Sequence, residues 1–243
     1  MRSARPRPDG RLLLLAGVTA ASLAGLLLLP AIPQDPAYHL FADARSLFGI
    51  PNFWNVVSNL PFIAVGAVGL ARFRGNPAEI VLFSGFLLTG IGSSYYHWDP
   101  NDGTLFWDRL PMTLSFAAIL ALVVAERVGE RAGRVVLWPM LAIGVASLLW
   151  WRATDDLRFY FWAQFFPGLA LLVLFLLYPP KYTKSYYWLV AAAWYALAKV
   201  FEFSDHAVYS LGQIVSGHTL KHLAAAAACL VILRYFQLRR PLA

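Results

Sequence analysis

Residues 78–125 read AEIVLFSGFLLTGIGSSYYH (78–97), WDPNDGTL (98–105) and FWDRLPMTLSFAAILALVVA (106–125). Two apolar runs flank a short polar turn. Each is about 20 residues long, the length of helix that crosses the hydrocarbon of a bilayer. Helix is the conformation such runs must take, because in lipid every backbone N–H and C=O needs a partner within its own segment. The pattern repeats along the chain. Further apolar runs cover 12–31, 52–72, 134–151, 159–178, 186–203 and 212–236. The fold class is therefore all-α, a polytopic membrane bundle of about eight helices.

Composition and charge agree. The chain is 59% hydrophobic and 14% charged, with mean hydropathy +0.58, where a soluble domain is about 25% charged. Twenty Lys and Arg against 13 Asp and Glu give a net charge of +7. In a soluble protein that excess would suggest nucleic acid. Here the basic residues fall in alternate connecting segments: Arg2, Arg5, Arg7 and Arg11; Arg72 and Arg74; Arg127, Arg131 and Arg134; Lys181 and Lys184; Arg234, Arg239 and Arg240. The segments between them carry Asp35 and Asp43 against Arg45, then Asp99 and Asp102, then a balanced 152–158, then Asp205. Basic loops mark the cytoplasmic side. Odd crossings therefore run outward, both termini are cytoplasmic, and a nucleic-acid role is excluded. The arginines ahead of the first run also fit a signal peptide, but its length favours a retained helix. Cys229, the single cysteine, lies in an apolar run and reads as a packing residue.

Polar groups inside membrane helices are costly and mark the bundle interior. Ser93, Ser94 and His97 end the third apolar run, with Ser93 and His97 on one helical face. Asp108 and Arg109 open the fourth. In SGHTLKHL, His218 and His222 are four apart near the start of the last run. FWNVVSNLPF places Asn55, Ser58 and Asn59 in the second run, and Lys199, Glu202, Asp205 and His206 close the seventh. The charge alternation puts His97, His218 and His222 at the same membrane face. Three imidazoles plus water in a fourth position make an open catalytic zinc site, and zinc yields a nucleophile near neutral pH. Asp108 is then placed to orient the water or take its proton, and Ser93 to bond a developing oxyanion.

Each residue also has a plainer reading. A His-x-x-x-His pair can simply bond its neighbours. Asp108 and Arg109 can form a local ion pair, Asn55 and Asn59 helix–helix contacts, and Lys199 and Glu202 a structural pair. His39 reads as a surface residue of an aqueous loop. His206 is a candidate fourth ligand or supporting partner.

FWNVVSNLPF, SSYYH followed by WDRLPM, and GHTLKH resemble the alkaline ceramidase family, part of a wider superfamily of membrane hydrolases that includes the adiponectin receptors. The resemblance spans roughly 35–236. It implies a seven-helix core over 34–243, with 1–33 as a cytoplasmic N-terminus and an added transmembrane helix. It implies zinc on His97, His218 and His222, with Ser93 assisting and Asp108 serving the water. Eukaryotic ceramidases carry an acidic calcium-binding segment before the first core helix. Here Asn52 stands just before FWN and only Asp35 and Asp43 lie upstream, so calcium is not expected. The expected activity is zinc-dependent hydrolysis of the amide of ceramide or a similar N-acylated lipid, at the extracytoplasmic face. A zinc-containing receptor and a transporter are the alternatives; a transporter should show discontinuous helices in related halves. No sequence feature sets an oligomeric state.

Overall fold

The computed structural model describes residues 10–242; Arg2, Arg5 and Arg7 lie outside the described residues. Among the described residues ten helices follow one another: α1 (Gly10–Leu28), α2 (Phe53–Val57), α3 (Leu60–Arg72), α4 (Pro77–Trp98), α5 (Asp102–Arg127), α6 (Glu130–Thr154), α7 (Arg158–Leu177), α8 (Tyr187–Phe203), α9 (Asp205–Ser210) and α10 (Gly217–Leu238). A single 3-10 turn, Pro36–His39, lies in the first connection. Seven stretches are long and apolar enough to cross a membrane: 10–28, 53–72, 77–98, 102–127, 130–154, 158–177 and 217–238. The seventh apolar run, 186–203, forms α8, whose 17 residues reach ~25 Å, the short end of what can span. The chain is a multi-pass integral membrane protein with an all-helical bundle.

The helix starts follow local chemistry. The Asn76 side chain accepts from Ala78 N at 2.9 Å to cap α4. Asn101 and Thr104 cap α5 reciprocally, satisfying two orphan donors. Ser216 accepts from Thr219 N at 3.1 Å and sets the start of α10, five residues later than the apolar run implies. The second apolar run is not one helix. It breaks at Ser58 and Asn59, because Pro61 has no N–H to continue the ladder and instead starts a new helix near its first turn.

The strongest packing joins α4 to α5, α8 to α10, α5 to α6 and α3 to α4, which makes α5 central. α7 packs on α5, α6 and α1, whereas α8 packs on α10 and α9. Consecutive in the chain, α7 and α8 share no packed face; Gln164 Nε2 reaches across to Tyr195 OH at 2.6 Å. α1 buries no residue and leans chiefly on α7, where Trp162 Nε1 donates to Ser22 Oγ at 3.0 Å.

The connecting segments that lack basic excess meet at one end. Gln34 N donates to Asp155 Oδ1 at 3.0 Å and Ile32 N to Asp156 Oδ1 at 3.3 Å. Ala42 N donates to Asp205 Oδ2 at 3.0 Å. Arg45 pairs with Asp43 at 2.7 Å and donates to Ile214 O at 2.9 Å, while Asp35 accepts from Ala37 N at 2.8 Å. At the opposite end Arg239 binds both Glu79 and Glu126, and Tyr235 and Trp188 donate to the same Glu126. Cys229 is buried in the main apolar core.

Candidate metal centre

α4 ends, and α5 and α10 begin, at the end where the loops gather. Gly92 allows the close approach of α4 to α5: a Cβ there would stand 2.2 Å from Trp107 O. The contact brings Ser93, one residue on, to the side of α4 that meets Asp108, one residue beyond Trp107, and both side chains are buried. Gly217 does the same for α10, since a Cβ would lie 2.4 Å from Phe201 O and 2.7 Å from Asp205 Cα. That fit lets Asp205 Oδ1 accept from His218 N at 2.7 Å, while its other oxygen holds Ala42.

His97, His218 and His222 are all buried, and one ligand atom from each lies within 4.8 Å of the others. The His97 Nε2 is 3.2 Å from His222 Nε2 and 3.2 Å from His218 Nε2. Nitrogens on a tetrahedral zinc, each ~2.0–2.1 Å from the ion, stand ~3.3 Å apart; the two distances from His97 match that, and the third pair lies within 4.8 Å. The donor chemistry fits as well. Ser58 Oγ lies 2.8 Å from His222 Nδ1 and donates its one hydrogen to Asn55 O at 3.3 Å. With that donation made its oxygen can accept from Nδ1–H, and in that tautomer the Nε2 lone pair of His222 faces His97 Nε2. Phe41 closes the group from the loop side, its ring centroid 4.6 Å from that of His97 and 4.7 Å from that of His218.

The surrounding polar groups are tied to the same rings. Asn55, fully buried, accepts from Thr219 Oγ1 at 3.0 Å and donates to Asp43 O at 3.3 Å, joining α2, α10 and the first loop. Asn52 adopts a left-handed backbone, φ 45°, which Asn tolerates, and donates to His97 O at 2.9 Å. Glu202 binds Lys199 at 2.6 Å and Lys221 at 3.2 Å, and accepts from Tyr38 OH at 3.2 Å. Burial, and then the Glu202 charge, hold the Tyr38 phenol well above its ordinary pKa, so it stays a donor. Lys221 Nζ also lies 3.1 Å from His218 Nε2.

Of the five residues singled out in the sequence, the three histidines converge, while Ser93 lies one turn before His97 on α4 and Asp108 lies on α5 where the two helices approach. Two readings change. His39 is no plain surface residue; it bridges Tyr96 OH at 2.9 Å and Asp102 at 3.2 Å, clamping the first loop to the α4–α5 turn. Arg109 does not form its local pair. Its buried guanidinium is stacked among Trp151, Tyr160 and Tyr38, at 4.6, 4.8 and 5.4 Å from the ring centroids. His206 is exposed on α9 and lies outside the histidine group. The Lys199–Glu202 pair forms, and Asn55 links helices. Sequence reading missed Lys221, Phe41 and the link from Ser58 to His222. Lys221 sits between the two histidines of GHTLKHL, and a lysine inside an apolar run was the available signal.

A family model described as Ceramidase matches residues 48–241. No curated protein matches the chain.

Proposed function

The chain belongs to the ceramidase family, and on that premise we propose that it is a zinc-dependent intramembrane hydrolase cleaving the amide of ceramide or a similar N-acylated lipid. The observation that carries the reading is the convergence of three buried Nε2 atoms in a membrane bundle of that family. His97, His218 and His222 would hold the ion. Zinc in such a site supplies Lewis-acid polarisation of a carbonyl and makes water acidic near neutral pH.

The chain's own groups do the rest. Asp108 takes the proton of the attacking water and returns it to the amine as the C–N bond breaks. Ser93, buried one turn before His97, donates to the developing oxyanion. Phe41 keeps bulk water off the histidines, and Ser58 fixes the tautomer of His222. α7 and α8 share no packed face, and the acyl chains enter from lipid between them. The charge alternation puts both termini in the cytoplasm and the histidines toward the extracytoplasmic face. There an amide between headgroup and acyl chains lies at the depth of the site. The N-terminal helix, touching chiefly α7, reads as an addition to a seven-helix core over 34–243.

Asp108→Asn tests the reading. It is expected to keep wild-type zinc and to lose ~10²–10⁴-fold in hydrolysis of an N-acyl sphingosine in mixed micelles. Normal turnover by this variant would remove Asp108 from the chemistry. Zinc-loaded wild type that cleaves no N-acylated lipid would remove the amide.

A further inference from the structure

Glu202 is one carboxylate shared between two ammonium groups, Lys199 at 2.6 Å and Lys221 at 3.2 Å. A structural ion pair inside a membrane bundle needs one cation per anion, and a surplus cation there is expensive. Lys199 already satisfies Glu202 at the shorter distance, and Phe165 and Tyr195 lie near its Nζ. Lys221 is the surplus, and its place is specific. It stands three residues after His218 and one before His222, with Nζ 3.1 Å from His218 Nε2. The histidines are almost wholly buried, at most 5% exposed, whereas the Lys221 side chain keeps 17%. It is the polar edge of the site that an arriving molecule can reach.

An ammonium has three N–H donors. One is spent on Glu202. A second is spent on the Nε2 of His218, whose lone pair is claimed when a metal is bound. The donor released from His218 and the third N–H are then both left with no partner on the protein, next to the ligand nitrogens. We propose that Lys221 is a catalytic residue: its ammonium holds the scissile carbonyl oxygen, strengthens that hydrogen bond as the oxygen becomes an oxyanion, and holds the carboxylate of the fatty-acid product. The lysine keeps all its protons throughout. Glu202, Lys199 and Tyr38 are positioning residues that tether it. The inference rests on the amide-hydrolase reading for the substrate but not for the carboxylate, because any acyl product carries one.

The test uses the full-length protein in detergent micelles. Octanoate is titrated into wild type, Lys221→Met and Lys221→Arg by calorimetry, with octanol as the chain-matched uncharged control, and zinc content and melting temperature are measured on the same samples. A charge-assisted hydrogen bond is worth a roughly 10- to 100-fold change in affinity. Lys221→Met is expected to weaken octanoate binding by that factor, leave octanol and zinc unchanged, and lower kcat more than it raises KM; Lys221→Arg restores part of the octanoate affinity. If Lys221→Met does not yield folded protein, Lys221→Gln takes its place. Octanoate affinity equal to wild type overturns the proposal. So does a loss of octanoate, octanol and zinc in proportion to a falling melting temperature, which assigns Lys221 to structure. Octanoate binding that depends on Lys221 in a protein cleaving no N-acylated lipid leaves Lys221 in its role and overturns the substrate reading instead.

Discussion

Ser58→Ala removes one hydroxyl and should cost the protein its grip on a metal. Ser58 is buried at 6% exposure and stands at the break between α2 and α3. Its oxygen is 2.8 Å from His222 Nδ1, and its hydrogen goes to Asn55 O at 3.3 Å. Asn55 O keeps a second donor, the Asn59 side chain at 2.8 Å, so the backbone is not stranded. The imidazole N–H is. A buried donor left without an acceptor costs ~1–3 kcal/mol. The ring can escape that cost by rotating or by moving its proton to Nε2, and either change removes the lone pair that faces His97. Loss of a group that orients a metal-binding histidine costs ~10–100-fold in affinity, or ~1.4–2.7 kcal/mol, the same range reached by a separate route. The assay is zinc competition against a chelator of known affinity at neutral pH, run beside thermal melting of the metal-free protein. Zinc affinity should fall ~10–100-fold while the metal-free melting temperature moves little. Unchanged zinc affinity would refute the assignment of the His222 tautomer and, with it, the argument that the Nε2 atoms are aimed at an ion.

Gly92→Ala places a Cβ 2.2 Å from Trp107 O, where contacts shorter than 3.0 Å essentially never occur, so α4 and α5 must part by at least ~0.8 Å. A shift of that size between Ser93 and Asp108 should lower kcat ~10²-fold, and a variant with wild-type turnover would show that their close approach is not used. Asp156→Asn weakens the lock that Ile32 N, Trp150 and Arg158 make on one carboxylate; it should cost ~1–3 kcal/mol at pH 7, read by thermal melting. The Arg158 guanidinium holds Asp156 well below the usual carboxylate range. Its stabilisation is therefore complete above the unfolded value of ~3.9 and fades as pH falls below it, so the gap between wild type and variant should narrow in acid.

Most of the architecture was legible because membrane burial leaves one solution for each apolar run. The run at 78–97 became α4 almost to the residue and that at 106–125 became α5, which starts four residues earlier and ends two later, and charge alternation grouped the loops that now meet at one end. The break at Ser58 was not legible. Pro61 signals a restart only once Ser58 and Asn55 are seen facing α10, and one-dimensional hydropathy reads straight through them. The histidines were found by spacing, since His218 and His222 share a face and His97 ends a helix at the same depth. Their supports were harder. Phe41 reaches the rings from a loop with no periodicity, and Arg109 found aromatic faces from three elements instead of its neighbour Asp108. Both contacts depend on tertiary packing that no local pattern encodes.

The proposed chemistry requires the metal. Zinc is to be measured in wild-type protein purified without added metal or chelator, beside His97→Ala, His218→Ala and His222→Ala, with amide hydrolysis followed on each. The expected result is about one zinc per chain in wild type, lost together with hydrolysis in every histidine variant. Amide hydrolysis by metal-free wild type, or zinc retained through all three substitutions, would contradict the account.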